Sequence, residues 1–240
     1  MKKRGFTLAE VLIAMALVGV ISALTLPTFI SNSRNKANAA KLSSTVNAVE
    51  TAFQSMMASQ AEDDFSQTTF GQDKTGASLG DFLKLNGGDK GLTYADFRYA
   101  SNTPFTTISG TAWNDDILNN DGGVYMTKSG AILGLFVDSK TVDEDTLKDM
   151  GGSVASSMGK LVIDINGAAL PNKWGRDAFY FRIGDDGMLY PSGSLNYAVL
   201  EYEDKSKTWS TGDGNVKCDA GTYSPGCTAR LIEKNYEVDY

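Results

Sequence analysis

The chain has 240 residues, 42% hydrophobic and 21% charged, a composition that supplies a folded core and excludes a disordered chain. Its formal charge is −7 and its pI about 4.7, so it offers no basic face of the kind a nucleic-acid partner needs. Histidine is absent, which removes imidazole as base or metal ligand and excludes Ser-His-Asp and Cys-His catalysis.

The first five residues, MKKRG, are basic and end in Gly5. Residues 6–30 then form an apolar run whose only charge is Glu10. At about 1.5 Å per residue this run spans a hydrocarbon core of about 30 Å. The basic flank places residues 1–5 in the cytoplasm and everything beyond the run outside it. A cleaved secretory signal is the rival reading. The run is long for that role, carries a carboxylate near its start, and continues without a loop into a second helical segment.

That second segment, 31–62, carries Leu42, Val46, Val49, Phe53 and Met56 at steps of four and three. This is one apolar stripe on an amphipathic helix, the seam expected to pack on a core. Pro27 lies at the join. It removes one backbone donor and crowds the preceding turn, which predicts a kink near Leu24 rather than a stop. The helix from residue 6 to about 60 would be on the order of 80 Å long.

Beyond it, 63–240 reads as a strand-rich globular domain. Residues 81–86 suggest a turn of helix, and 143–150 a short acidic helix. Strands are predicted at 124–127, 131–137 and 160–167, with a hairpin of 178–183 and 188–190 around a Gly-Asp-Asp-Gly turn. The C-terminal CTARLIEKNYEVDY alternates apolar and polar residues, which predicts an edge strand. The fold class is therefore α+β: one long helix packed on an antiparallel sheet.

Few residues offer chemistry. Asp164-x-Asn166-Gly167 opens like a calcium loop but lacks its later oxygen ligands. Asp177, Asp185 or Asp186 would have to complete such a site by folding, and an Asx turn closing a strand is the plainer reading. Cys218 and Cys227 enclose a short Gly/Pro-containing loop and read as a local disulfide if the domain lies outside the cytoplasm, as free thiols otherwise. No catalytic constellation is present, and neighbouring acids in turns usually point apart. Trp174, Phe179, Tyr180, Phe181, Tyr190, Tyr197, Tyr202 and Trp209 suit sheet packing and subunit contacts.

The segment GFTLAEVLIAMALVGVISALTLP resembles the N-terminus of type IV pilins and of the pseudopilins of type II secretion systems. The short basic leader ending in Gly5, then Phe6, Thr7 and Leu8, then Glu10 as the fifth residue after the leader, and Pro27 late in the apolar helix carry that resemblance. DINGAALPNKWGRDAFYFRIGDDGMLYPSG and the C-terminal CTARLIEKNYEVDY are similar to the later part of prepilin-type proteins. WGRDAFYF is similar to a stretch of major pseudopilins near loops that bind calcium, and the Cys pair resembles the C-terminal disulfide loop of pilins.

The resemblance implies cleavage between Gly5 and Phe6 by a prepilin peptidase, which also methylates the new Phe6 amine. It implies polymerisation with identical or related subunits, assembly by a membrane platform with a cytoplasmic ATPase, and no enzymatic activity of the chain itself. The subunit would wait in the inner (cytoplasmic) membrane as a single-pass protein, in contact with lipid, and then pass into an extracellular or periplasmic filament. Glu10 would pair with the Phe6 amine of a neighbour, or of its own chain one turn away. A membrane-anchored domain that never polymerises is the rival class, and it gives Glu10 nothing to do.

Overall fold

The computed structural model describes residues 7–73, 76–86, 105–110, 123–137, 157–167, 169, 172–191 and 227–236. The chain divides into two compact units, 1–37 and 38–240, and one helix, α1 (Leu8–Gln60), contributes to both. It runs without interruption through Pro27.

In the first unit the side chains of α1 are exposed: Leu8 is 81% exposed, Leu24 73% and Phe29 70%. A helix that is apolar on all sides and covers none of that surface is built for a non-aqueous environment or for other helices. Its mean hydropathy reaches 2.2 over an 18-residue window, so it is long and apolar enough to cross a membrane.

In the second unit residues 38–60 of α1 behave as an ordinary amphipathic helix. Leu42, Val49, Phe53 and Met56 are fully buried and Val46 nearly so, which is the predicted stripe. The helix ends at Ala61, whose φ of 55° is left-handed, with Glu62 N–H donating to Met57 C=O at 3.1 Å. A 3-10 turn (Phe65–Gln67) and the one-turn helix α2 (Thr69–Gln72) follow. They return Phe65 and Phe70 to Phe53, with ring centroids 4.5 and 5.0 Å from it.

Among the described residues the sheet has six strands in chain order, every neighbouring pair antiparallel: β1 (Leu85–Asn86), β2 (Gly123–Thr127), β3 (Ile132–Val137), β4 (Ser157–Asp164), β5 (Ala178–Gly184) and β6 (Leu189–Pro191). Alternation sorts its residues onto two faces. Leu133, Leu135, Leu161, Ile163, Phe179, Phe181 and Ile183 join the α1 stripe in the main core. Ile132, Phe136, Val162 and Tyr180 meet Phe105 and Trp174 in a second cluster. The β5–β6 turn is tied to α1. Gln54 donates to Asp186 C=O at 3.0 Å, and Leu189 N–H donates to Glu50 Oε1 at 3.1 Å. Gly187 takes φ 72°, so the turn calls for glycine, and a Cβ there would also make the flexible Met57 side chain, 2.9 Å away at Sδ, shift.

Three local expectations are corrected. The C-terminal alternation is helix rather than edge strand: α3 (Cys227–Glu233). Its Ala-Arg-Leu-Ile-Glu run favours helix, and Cys227 and Leu231, four apart, are both buried on one face. Asn235 and Tyr236 then turn left-handed, with Tyr236 N–H donating to Leu231 C=O at 2.7 Å, a helix stop. The suggested helical turn at 81–86 lies earlier, as a 3-10 turn (Ala77–Asp81), because Leu85 and Asn86 are drawn into pairing with β2. The strand predicted at 160–167 begins and ends earlier, since Asn166 and Gly167 belong to a turn. The 143–150 helix and the aromatics Tyr197, Tyr202 and Trp209 lie outside the described residues.

Candidate functional site

The helix start at Thr7 and Glu10 is the first place where the chain holds a functional side chain. The first N–H groups of any helix lack intrahelical partners. Here Thr7 N–H and Thr7 Oγ1 both donate to Glu10 Oε2, at 2.8 and 2.9 Å. Glu10 N–H donates back to Thr7 Oγ1 at 3.3 Å. This reciprocal pair is a capping box, for which Thr-Leu-Ala-Glu before an apolar run is the sequence signature. Thr7 thus has a capping role beyond its place in the N-terminal motif, and its spacing from Glu10 announces it. The carboxylate costs less here than its apolar surroundings suggest, because it answers donors that would otherwise go unpaired. Gly5 and Phe6 lie outside the described residues. Pro27 sits inside α1, and near it Thr25 Oγ1 donates to Ile21 C=O at 3.0 Å.

The second constellation is the turn between β4 and β5. Asp164, Asn166 and Asp177 do come together. Asp164 Oδ1 accepts from Asn166 N–H and Gly167 N–H, both at 3.1 Å, which is the Asx turn. Asn166 Nδ2 donates to Asp177 Oδ2 at 3.3 Å, and Lys173 N–H to Asp177 Oδ1 at 2.5 Å. Helix α1 reaches the same turn: Lys41 Nζ donates to Ile165 C=O, and Asn38 Nδ2 to Arg176 C=O at 3.3 Å. Gly175, at φ 79°, lets the chain reverse so that Trp174 enters the second core while Asp177 faces Asn166. The Trp-Gly-Arg-Asp stretch is therefore a turn motif with packing consequences. Asp185 and Asp186 lie in the β5–β6 turn instead. There Asp186 Oδ1 accepts from Met188 N–H at 3.0 Å and Oδ2 from Tyr190 Oη at 2.5 Å.

Asp164, Asn166 and Asp177 are the candidate cation site. Calcium takes six to eight oxygens, roughly. The two carboxylates accept from backbone amides and from the Asn166 side chain, and among the described residues no group of three or more acid, His or Cys side chains is placed to hold a metal.

Burial raises the Asp177 carboxyl to about 7; the Lys173 amide pulls it down, and the neighbouring Asp164 charge pushes it further up. A carboxyl raised on folding binds its proton more tightly in the folded state. Its stabilising contribution is then complete below about pH 4 and lost as pH rises to about 7. The melting temperature of the globular domain is accordingly expected to fall over that interval, by an amount worth roughly 2–4 kcal/mol. Asp177→Asn keeps an acceptor for Lys173, and Asn166 can turn its amide to suit. That variant should show a smaller fall in melting temperature from pH 5 to 8 than the wild type, as measured by circular dichroism, the remainder coming from Glu50, whose carboxyl is also raised by burial.

Cys227 is buried at the start of α3, and Cys218 lies outside the described residues. Thr228 Oγ1 accepts from Tyr180 N–H at 3.1 Å and joins α3 to β5, a bond no sequence pattern announces.

The class defined so far is an α+β protein whose N-terminal helix is long and apolar enough to cross a membrane and opens on a capped acidic residue. Comparison with protein families agrees at the N-terminus: residues 1–26 match the prokaryotic N-terminal methylation motif. This is the prepilin-type segment of type IV pilin-like and pseudopilin subunits. Comparisons with curated proteins and with solved structures found no match.

Proposed function

We propose that the chain is a structural subunit of a type IV pilus-like filament. The observation that carries this reading is the methylation motif over residues 1–26, with Glu10 inside its apolar segment. In this reading a prepilin peptidase removes residues 1–5 by cutting between Gly5 and Phe6 and methylates the Phe6 amine. The subunit waits in the cytoplasmic membrane with its C-terminal domain outside. A membrane platform driven by an ATPase then assembles it with other subunits through α1. A Cys218–Cys227 disulfide would staple the start of α3 in that oxidising setting. Mass spectrometry of the membrane-extracted protein tests the processing step. A mature chain beginning at methylated Phe6 is expected, and one beginning at Met1 would refute it.

A second reading, a pseudopilin driving protein export, is favoured by the Trp-Gly-Arg-Asp turn and its similarity to that of pseudopilins. Electron microscopy of surface-sheared material separates the two: long fibres containing this chain support the pilus, and short periplasmic assemblies the pseudopilus. Calcium binding by Asp164, Asn166 and Asp177 is a separate proposal resting on their proximity. A calcium-dependent rise in melting temperature, absent in Asp164→Ala, supports it, and identical melting in calcium and chelator removes it.

A further inference from the structure

Between Glu10 and Glu50 the chain has no acidic residue, although it carries 29 acids in all. The only charges in that interval are Arg34, Lys36 and Lys41. Lys41 is engaged with Ile165 C=O. Arg34 and Lys36 are exposed, and among the described residues neither makes a hydrogen bond or an ion pair.

Their placement is specific. Four and six residues beyond Ile30, they lie about 6 and 9 Å further along the helix. The polar headgroup layer on each side of a bilayer is about 5–7 Å deep. Long basic side chains extend along the helix to reach that level. Two residues apart, they project about 200° from one another around the axis. They therefore face opposite sides of the helix, and a single partner surface docked on one side would meet only one of them. A lipid annulus meets both. Asn32, Ser33 and Asn35 interleave with them and add neutral hydrogen-bonding groups at the same level.

We propose that Arg34 and Lys36 form a two-sided basic collar that binds the phosphates of anionic phospholipids in the outer leaflet and fixes the depth of the subunit before assembly. The proposal rests on the reading that α1 spans the membrane with its C-terminal domain outside. It also gives processing a second consequence. The leader supplies Lys2, Lys3 and Arg4 on the inner side. Once the leader is removed, Arg34 and Lys36 are the charged side chains closest to lipid phosphate on either side, apart from Glu10 and the new amine.

The test is native mass spectrometry of the processed full chain in micelles holding equal amounts of phosphatidylglycerol and phosphatidylcholine. The wild-type chain should retain phosphatidylglycerol preferentially. R34Q and K36Q should each lower that preference about fivefold at low salt, the effect of one cation near an anionic surface. The double variant should lower it more than either, while K84Q, a charge-matched change elsewhere, should not. No preference in the wild type, or one that survives the double variant, overturns the proposal. Unchanged lipid preference with impaired filament formation would assign the two cations to a neighbouring subunit and likewise overturn it. Extraction of the unprocessed chain from membranes by alkaline carbonate tests the spanning reading separately. Release into the aqueous fraction would refute that reading whatever the lipid ratio.

Discussion

Glu10→Ala is expected to insert, to be cleaved and methylated, and yet to be missing from filaments. Two roles compete for this carboxylate, and they differ in size. As the closing member of the capping box it satisfies Thr7 N–H and Thr7 Oγ1, a modest local contribution to the helix start. As the counter-ion of a neighbour's Phe6 amine in a dry helical core, its removal would leave a cation buried and unpaired, a far larger loss. The second loss should lower incorporation by about 30-fold or more and the first by about fivefold.

Two further variants separate the roles. Glu10→Gln retains a side chain able to close the box but has no charge, so it should fail in assembly as Glu10→Ala does. Thr7→Ala keeps the charge and loses the cap, so it should assemble with only a modest deficit. Filaments would be quantified by shearing and immunoblotting against total processed subunit. Near-normal fibres from Glu10→Gln would show that capping is the whole role.

The two roles also fit one sequence of events. A carboxylate held by its own Thr7 would not be a bare charge if, as proposed, the subunit waits in lipid, where an unsatisfied ion is costly. A neighbour's amine then has to compete with two hydrogen bonds from an uncharged residue, which an ammonium group does readily. The capping box keeps Glu10 tolerable before assembly without making it unavailable for assembly.

Much of this was legible in the sequence because its patterns have a single physical reading. Leu42, Val46, Val49, Phe53 and Met56 repeat at helical spacing, and the structure buries all five. The β-branched and aromatic runs bounded by turn residues were legible as strands β2 to β5, while the burial of both faces of β3 and β5 was not. The C-terminal run was misread because seven residues of Cys-Thr-Ala-Arg-Leu-Ile-Glu satisfy both periods, and only packing on β5 decides between them. The bonds that fix the β4–β5 and β5–β6 turns to the helix join residues 124 to 139 positions apart, so no local pattern carries them. The capping role of Thr7 was missed for another reason. The charge of Glu10 in an apolar run drew the functional reading, and the Thr-x-x-Glu spacing gave an equally local answer.

Phe53→Ala should give the opposite phenotype to Glu10→Ala: a subunit that is processed but does not survive. Phe53 is fully buried at the point where α1, the 3-10 turn and α2 meet. Its ring tilts against Phe65 and Phe70, which stack on each other at 5.1 Å. Truncation removes the transfer free energy of the ring and leaves a cavity that a helix and a sheet cannot close over, together about 3–5 kcal/mol. The loss of two aromatic contacts adds to this. For a domain of this size the melting temperature should fall by on the order of 10 °C, measured on the detergent-solubilised full chain. Phe53→Leu refills most of the volume and should recover more than half of the loss. The N-terminal segment is untouched, so cleavage at Gly5 should proceed at the normal rate while steady-state subunit levels drop through proteolysis of the opened domain. Normal abundance with unchanged melting would mean that the aromatic trio does not hold the second half of α1 to the sheet. A slowed cleavage would mean that the peptidase reads the folded domain as well as the first 26 residues.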